Sequence, residues 1–153
     1  MAGIEVPNAS LDSWLEVLKP YQREQIRMLM VDNNAEGAAG TWVNTIGHAN
    51  IAKFGGIVNP KPFWNLLQSE FYDFVCNDQA YKKEKEELAK QGGISKALLV
   101  SSISSAIGAK IGVVAALISP AILLLLFMVG SMSINAFCKL PRPNGAEGAE
   151  KIE

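Results

Sequence analysis

Apolar positions repeat at helical spacing near the start of the chain. Leu11, Trp14, Leu15 and Leu18 recur at i, i+3, i+4 and i+7, which is one face of a helix. Ser10 is placed to cap that helix, and Asp12 puts negative charge in its first turn. Pro20 interrupts the run and can open a new helix, because the first helical position needs no N–H. Ile26, Leu29 and Met30 continue the stripe, so residues 11–31 read as two short helices or one kinked helix. Asp32-Asn33-Asn34 signals a turn. Residues 35–56 are rich in Gly, Ala and Asn. Trp42, Val43, Ile46, Ile51 and Phe54 could line one or two short helices there, against the cost of Gly37, Gly40 and Gly47. Gly55-Gly56 and Asn59-Pro60-Lys61-Pro62 break the chain. Phe63, Leu66, Leu67, Phe71 and Phe74 then predict an amphipathic helix over 62–76. The next helix, 79–91, is almost wholly polar, with Tyr81 and Leu88 to bury, and Gly92-Gly93 closes it as a cap and hinge.

The pattern changes after residue 93. From 94 to 137 the chain is apolar and helical, with Ser95 as its cap. Beyond Lys96 the only charge before Lys139 is Lys110. Spanning hydrocarbon takes roughly 20 apolar residues, and this segment is long enough. Three arrangements fit it. A helical hairpin, 95–118 and 121–137, would turn at Ser119-Pro120 and keep Lys90, Lys96, Lys139 and Arg142 on one side. That arrangement leaves Lys110 deep in one arm. A single span, 111–134, would put Lys110 at the interface and Pro120 inside the helix, which membranes tolerate. A soluble protein would bury the hairpin among its amphipathic helices, for which 11–31 and 63–76 offer partial cover.

Small residues recur every fourth position at Ser104, Gly108, Gly112 and Ala116, with Ser101 and Ser105 beside them. Such a groove lets helix backbones approach closely. Its occupant is either the chain's own second arm or another copy. Lys110 falls on the opposite side with Ile103, Ile107 and Val114, a position for an intramembrane charge facing a polar interior.

Composition sharpens the division into three parts: a soluble helical domain, 1–93; an apolar helix or hairpin, 94–138; and a flexible polar tail, 139–153. Charged residues are 19% of the chain and the net charge is −1. That balance provides no electrostatic footprint for nucleic acid. Lys82, Lys83 and Lys85 interleave with Glu84, Glu86 and Glu87, the pattern of a solvated helix face. Cys76 and Cys138 form no metal-type spacing and read as two free thiols in a reducing compartment. The first ten residues have neither the basic nor the apolar region of a secretory signal, so Asn8 in its acceptor motif is not expected to carry a glycan.

Catalytic chemistry has little to stand on. His48 is the only histidine, and no serine or cysteine lies in a recognisable nucleophile motif. Gly37-Ala38-Ala39-Gly40 is too short for a phosphate loop and lacks its lysine. Glu70 and Asp73 share a helix turn and read as the polar face of their helix. Trp14 reads as core; Trp42 and Trp64 suit either a core or a membrane interface.

The expected protein is therefore all-α and non-enzymatic, with no cofactor and no metal. It is expected at the cytoplasmic membrane with its N-terminal domain in the cytosol. Membrane lipid, a second copy or a protein partner are the expected contacts. It would insert, oligomerise and perturb the bilayer in the manner of a toxin or defence effector, or anchor a partner. The alternative is a soluble all-α interaction or assembly protein that buries the hairpin in its core or in a partner interface.

Overall fold

The computed structural model describes residues 5–47, 60–91 and 95–140. Among them the regular structure is entirely helical, so the protein is all-α. Helix α1 (Leu11–Leu15) begins where expected: the Ser10 hydroxyl accepts the Ser13 N–H at 3.1 Å. Helix α2 (Pro20–Asp32) opens on Pro20, and the Lys19 N–H is satisfied by the Gln22 side-chain oxygen at 3.2 Å. The Asn34 side chain then accepts the Gly37 N–H at 2.8 Å and starts α3 (Ala35–Thr41), which continues as a π-helical turn, Trp42–Gly47.

The weakly patterned glycine-rich segment is thus helical as far as it is described. Its compensation is tertiary. Ala38, Ala39 and Gly40 are buried, and their small side chains allow close packing on the apolar helix described next. A Cβ on Gly40 would press on the indole of Trp64 at 3.0 Å. Packing here outweighs the intrinsic cost of glycine in a helix, about 1 kcal/mol.

Helix α4 (Pro60–Cys76) buries Leu67, Phe71, Phe74 and Val75, and α5 (Lys82–Ala89) follows after Tyr81, which adopts a left-handed backbone. Helix α6 (Lys96–Ile111) is capped by Ser95, whose hydroxyl accepts the Leu98 N–H at 3.0 Å. Helix α7 (Ala115–Met132) and the short α8 (Ile134–Cys138) complete the fold.

The two apolar arms do form a hairpin, α6 against α7, but not with the expected turn. The chain reverses at residues 112–114. Gly112 takes φ +84°, and the Gly108 carbonyl accepts both the Gly112 N–H at 2.8 Å and the Val113 N–H at 2.9 Å. This is a glycine C-cap of the kind that satisfies the last carbonyls of a helix. Ser119 and Pro120 lie inside α7 instead. Pro120 is the sixth residue of that helix, beyond the first turn, so it forgoes one i→i−4 hydrogen bond. Its missing N–H deprives only the carbonyl of Ala116, an exposed residue. The Ser119 hydroxyl donates to the Ala115 carbonyl at 2.9 Å.

Helix α7 is the axis of the molecule, contacted by α1, α3, the π-helical turn, α6 and α8. Every residue from 120 to 126 is buried, so all faces of that stretch are covered. A helix apolar all round requires such a surround, either protein or lipid. The N-terminal segment contributes to it. The Pro7 carbonyl crosses α7 against Gly130, so closely that no Cβ would fit. The apolar arms and the N-terminal helices therefore share one hydrophobic cluster, from Trp14 and Ile26 through Phe71 and Phe74 to Ile103, Leu123 and Val129.

Candidate functional site

The seam between α4 and the hairpin carries the chain's most distinctive chemistry. Glu70 lies on α4 with only 9% of its surface exposed. Its Oε1 accepts the Tyr81 hydroxyl at 2.7 Å and pairs with the Lys110 Nζ at 3.0 Å. Lys110 also sits over the Tyr81 ring, 5.2 Å from its centroid, and that ring packs on Phe74 with centroids 5.1 Å apart. Burial pushes the Tyr81 hydroxyl well above its ordinary pKa of 10, and the bond to Glu70, the Glu70 charge, and the charges of Asp73 and Glu84 push it further. Tyr81 is thus a neutral hydrogen-bond donor at neutral pH. The group can hold a helix junction, but it presents no nucleophile beside a base.

Lys110 is therefore an ion-paired residue, not an unpaired charge opposite a groove. Its side chain is 54% exposed, whereas Ile103 and Ile107, expected on its face, are fully buried. Glu70 was expected as plain polar surface. The only sequence signal for the pair is that a solitary cation in an apolar segment needs an anion, and no spacing says which one.

The expected small-residue groove is divided. Ser104 and Gly108 lie on the buried face of α6, and the buried Ser104 hydroxyl has no hydrogen-bond partner among the described residues. Ser101 and Ser105 are exposed. Gly112 is in the turn and Ala116 is on the next helix, so the four-residue repeat does not continue along one face. Gly108 serves the turn directly: a Cβ there would meet the Val113 carbonyl at 2.6 Å.

Lys85 departs from the expected solvated face. It is 2% exposed, donates from Nζ to the Asn77 carbonyl at 2.6 Å, and lies 5.8 Å from the centroid of the Phe74 ring. Burial lowers its pKa, while Asp78 and Asp73 act in the opposite sense. It secures the end of α4 to α5.

The cysteines are not free. Cys76, the last residue of α4, is disulfide-bonded to Cys138, the last residue of α8, across a sequence separation of 62. Spacing alone could not reveal this, since only the fold brings the two helix ends together. Around the bond the Tyr72 hydroxyl donates to the Cys138 carbonyl at 2.7 Å, and the Phe137 ring lies 5.8 Å from Phe71 and 5.7 Å from Tyr72 between centroids.

At the other end of the hairpin a cavity of about 640 Å³ opens between α2, α6 and α7, with Tyr21, Gln25, Val100, Ser101 and Leu117 in its wall. Trp42 borders it and donates from its indole N–H to the Leu117 carbonyl at 3.2 Å, which makes this tryptophan a core residue. Among the described residues, no three His, Cys, Asp or Glu side chains converge as metal ligands would. His48, the Gly92-Gly93 hinge and the tail beyond residue 140 lie outside the described residues. No family model, curated protein or solved structure matches the chain.

Proposed function

We propose that this is a non-enzymatic, membrane-active protein, which carries the α6–α7 hairpin within a helical surround and delivers it to a lipid bilayer. The observation that carries the reading is α7 itself: 18 residues with a mean hydropathy of 2.3 and no charge. At 1.5 Å per residue it is about 27 Å long, close to the roughly 30 Å of a hydrocarbon core. The turn at 112–114 supports the hairpin form. It moves Lys110 from the middle of an arm to the tip, where a lysine can reach the far interface instead of resting at the bilayer centre. The charge pattern supports it too. No acidic residue occurs between Glu87 and Glu147, whereas Lys90, Lys96, Lys110, Lys139 and Arg142 do. Such a segment is attracted to anionic headgroups.

Bilayer perturbation of the toxin or effector kind follows from insertion, and anchoring of a partner is its milder form. Exposed Ser101 and Ser105 on α6 would serve contact between inserted copies. A disulfide forms and persists in an oxidising compartment, so the disulfide-bonded form belongs in one and not in the cytosol.

A second reading rests on a separate observation. Because residues 120–126 are buried on every side, α7 also fits the core of a soluble interaction or assembly protein. Flotation of the purified full chain with vesicles of phosphatidylcholine and phosphatidylglycerol, under oxidising and under reducing conditions, separates the two. Co-flotation with release of an encapsulated dye is the expected result. A chain that stays in the soluble fraction in both conditions would support the second reading.

A further inference from the structure

We propose that the Cys76–Cys138 disulfide is a redox lock on the apolar hairpin, an inference that rests on the membrane-active reading above. The lock is defined by position. The bond joins the end of α4 to the end of α8, so the loop it closes contains α5, α6, α7 and α8 entire. While it holds, the far end of the hairpin cannot leave α4.

Beside the bond, the Tyr72 hydroxyl donates to the Cys138 carbonyl, and the Phe137 ring packs against Phe71 and Tyr72. Near the hairpin tip the polar attachment to α4 is the Lys110–Glu70 pair, more than half exposed on the lysine side. Its carboxylate is buried and also accepts the Tyr81 hydroxyl, so this contact holds the tip to α4 without a covalent bond. Helices α6 and α7 pack along each other and share a tight glycine turn. The hairpin arms are thus one packed unit, held by the covalent bond at this end and by the packing of α7 on α1, α3 and the π-helical turn, and reduction removes the covalent restraint.

Reduction is chemically open to this bond. Cys76 and Cys138 are both partly exposed, so an attacking thiolate can reach a sulfur. The reductant is a low-molecular-weight thiol or a dithiol. The first thiolate attacks one sulfur and forms a mixed disulfide while the other cysteine leaves as a thiolate and takes a proton. A second thiol resolves the mixed disulfide. The S–S bond of the protein is broken, both cysteines become thiols, and the reductant is oxidised to its own disulfide. A chain oxidised in one compartment would thus release its hairpin on meeting a thiol pool.

The test compares the oxidised full chain, the chain reduced with dithiothreitol, and the double variant Cys76→Ser, Cys138→Ser, each mixed with phosphatidylcholine–phosphatidylglycerol vesicles. The lock predicts weak flotation for the oxidised form. It predicts a rise of up to about a thousandfold for the other two, the factor that closing a loop of this length represents. Glu70→Gln, kept oxidised, should remain as weak as the oxidised parent. Equal flotation of oxidised and reduced chains overturns the lock and leaves the membrane reading standing. Absence of flotation in every form overturns the membrane reading itself. Loss of helical circular dichroism on reduction, without vesicles, makes the bond a fold stabiliser only and rejects the lock. So does oxidised Glu70→Gln floating as well as the reduced parent.

Discussion

Replacing Cys76 and Cys138 together by serine, or reducing them, should lower stability by an amount fixed mainly by loop length. The bond spans a sequence separation of 62. Loop-closure entropy at that length corresponds to about 4 kcal/mol at 25 °C. For a chain of this size each kcal/mol moves the melting temperature by about 2–4 °C, so the open form should melt about 8–16 °C lower. Domains carry about 5–15 kcal/mol in all, so a folded majority should survive reduction at room temperature, as a lock requires. Thermal and urea melts followed by far-ultraviolet circular dichroism, on oxidised, reduced and doubly substituted chains, measure this. The urea midpoint should fall while the slope rises, because the open denatured chain exposes more surface. Coincident transitions for all three would refute the placement of the two helix ends.

Three further perturbations probe separate contacts. Gly130→Ala puts a methyl group where the Pro7 carbonyl crosses α7; it should cost about 2–3 kcal/mol in urea unfolding, and a loss below about 0.5 would deny that crossing. Lys85→Met keeps most of the buried stem but removes the charged donor to the Asn77 carbonyl, which sits on an exposed residue; a loss of about 1 kcal/mol is expected, and unchanged stability would mean that Lys85 lies in solvent. Tyr81 has a raised pKa, so the fold binds its proton more tightly than the unfolded chain does. Its contribution is complete below the ordinary value near 10 and is lost as pH rises above it. Tyr81→Phe should flatten the alkaline fall in stability, and identical alkaline profiles would contradict the buried bond to Glu70.

The helices were legible wherever local chemistry and hydrophobic spacing agreed. Ser10, Asn34 and Ser95 cap helices as their side chains allow, and Leu67, Phe71 and Phe74 bury the face that their spacing defines. The hairpin was legible as apolar arms, but its turn was not. Proline looked like the stronger break, whereas the left-handed backbone that only glycine adopts freely decided for Gly112. Helix α3 was obscured because its evidence is contact with α7, and glycine hides such contact from any propensity scale. The candidate site was the least legible part. Lys110 stood out as a lone charge, but Glu70, Tyr81 and the Cys76–Cys138 bond depend on helices that meet only in the fold. Lys85 was hidden in an alternating charge run, where nothing distinguishes the one lysine that turns inward.

Entry of the α6–α7 hairpin into a bilayer is measured by fractionation of cells producing the full-length protein, under oxidising and under reducing lysis, followed by a carbonate wash of the membranes. Protein from the reducing lysate should remain in the washed pellet and be released by detergent. Protein that is soluble and monodisperse without detergent in both lysates would contradict that entry, and would make the hairpin the core of a soluble helical protein.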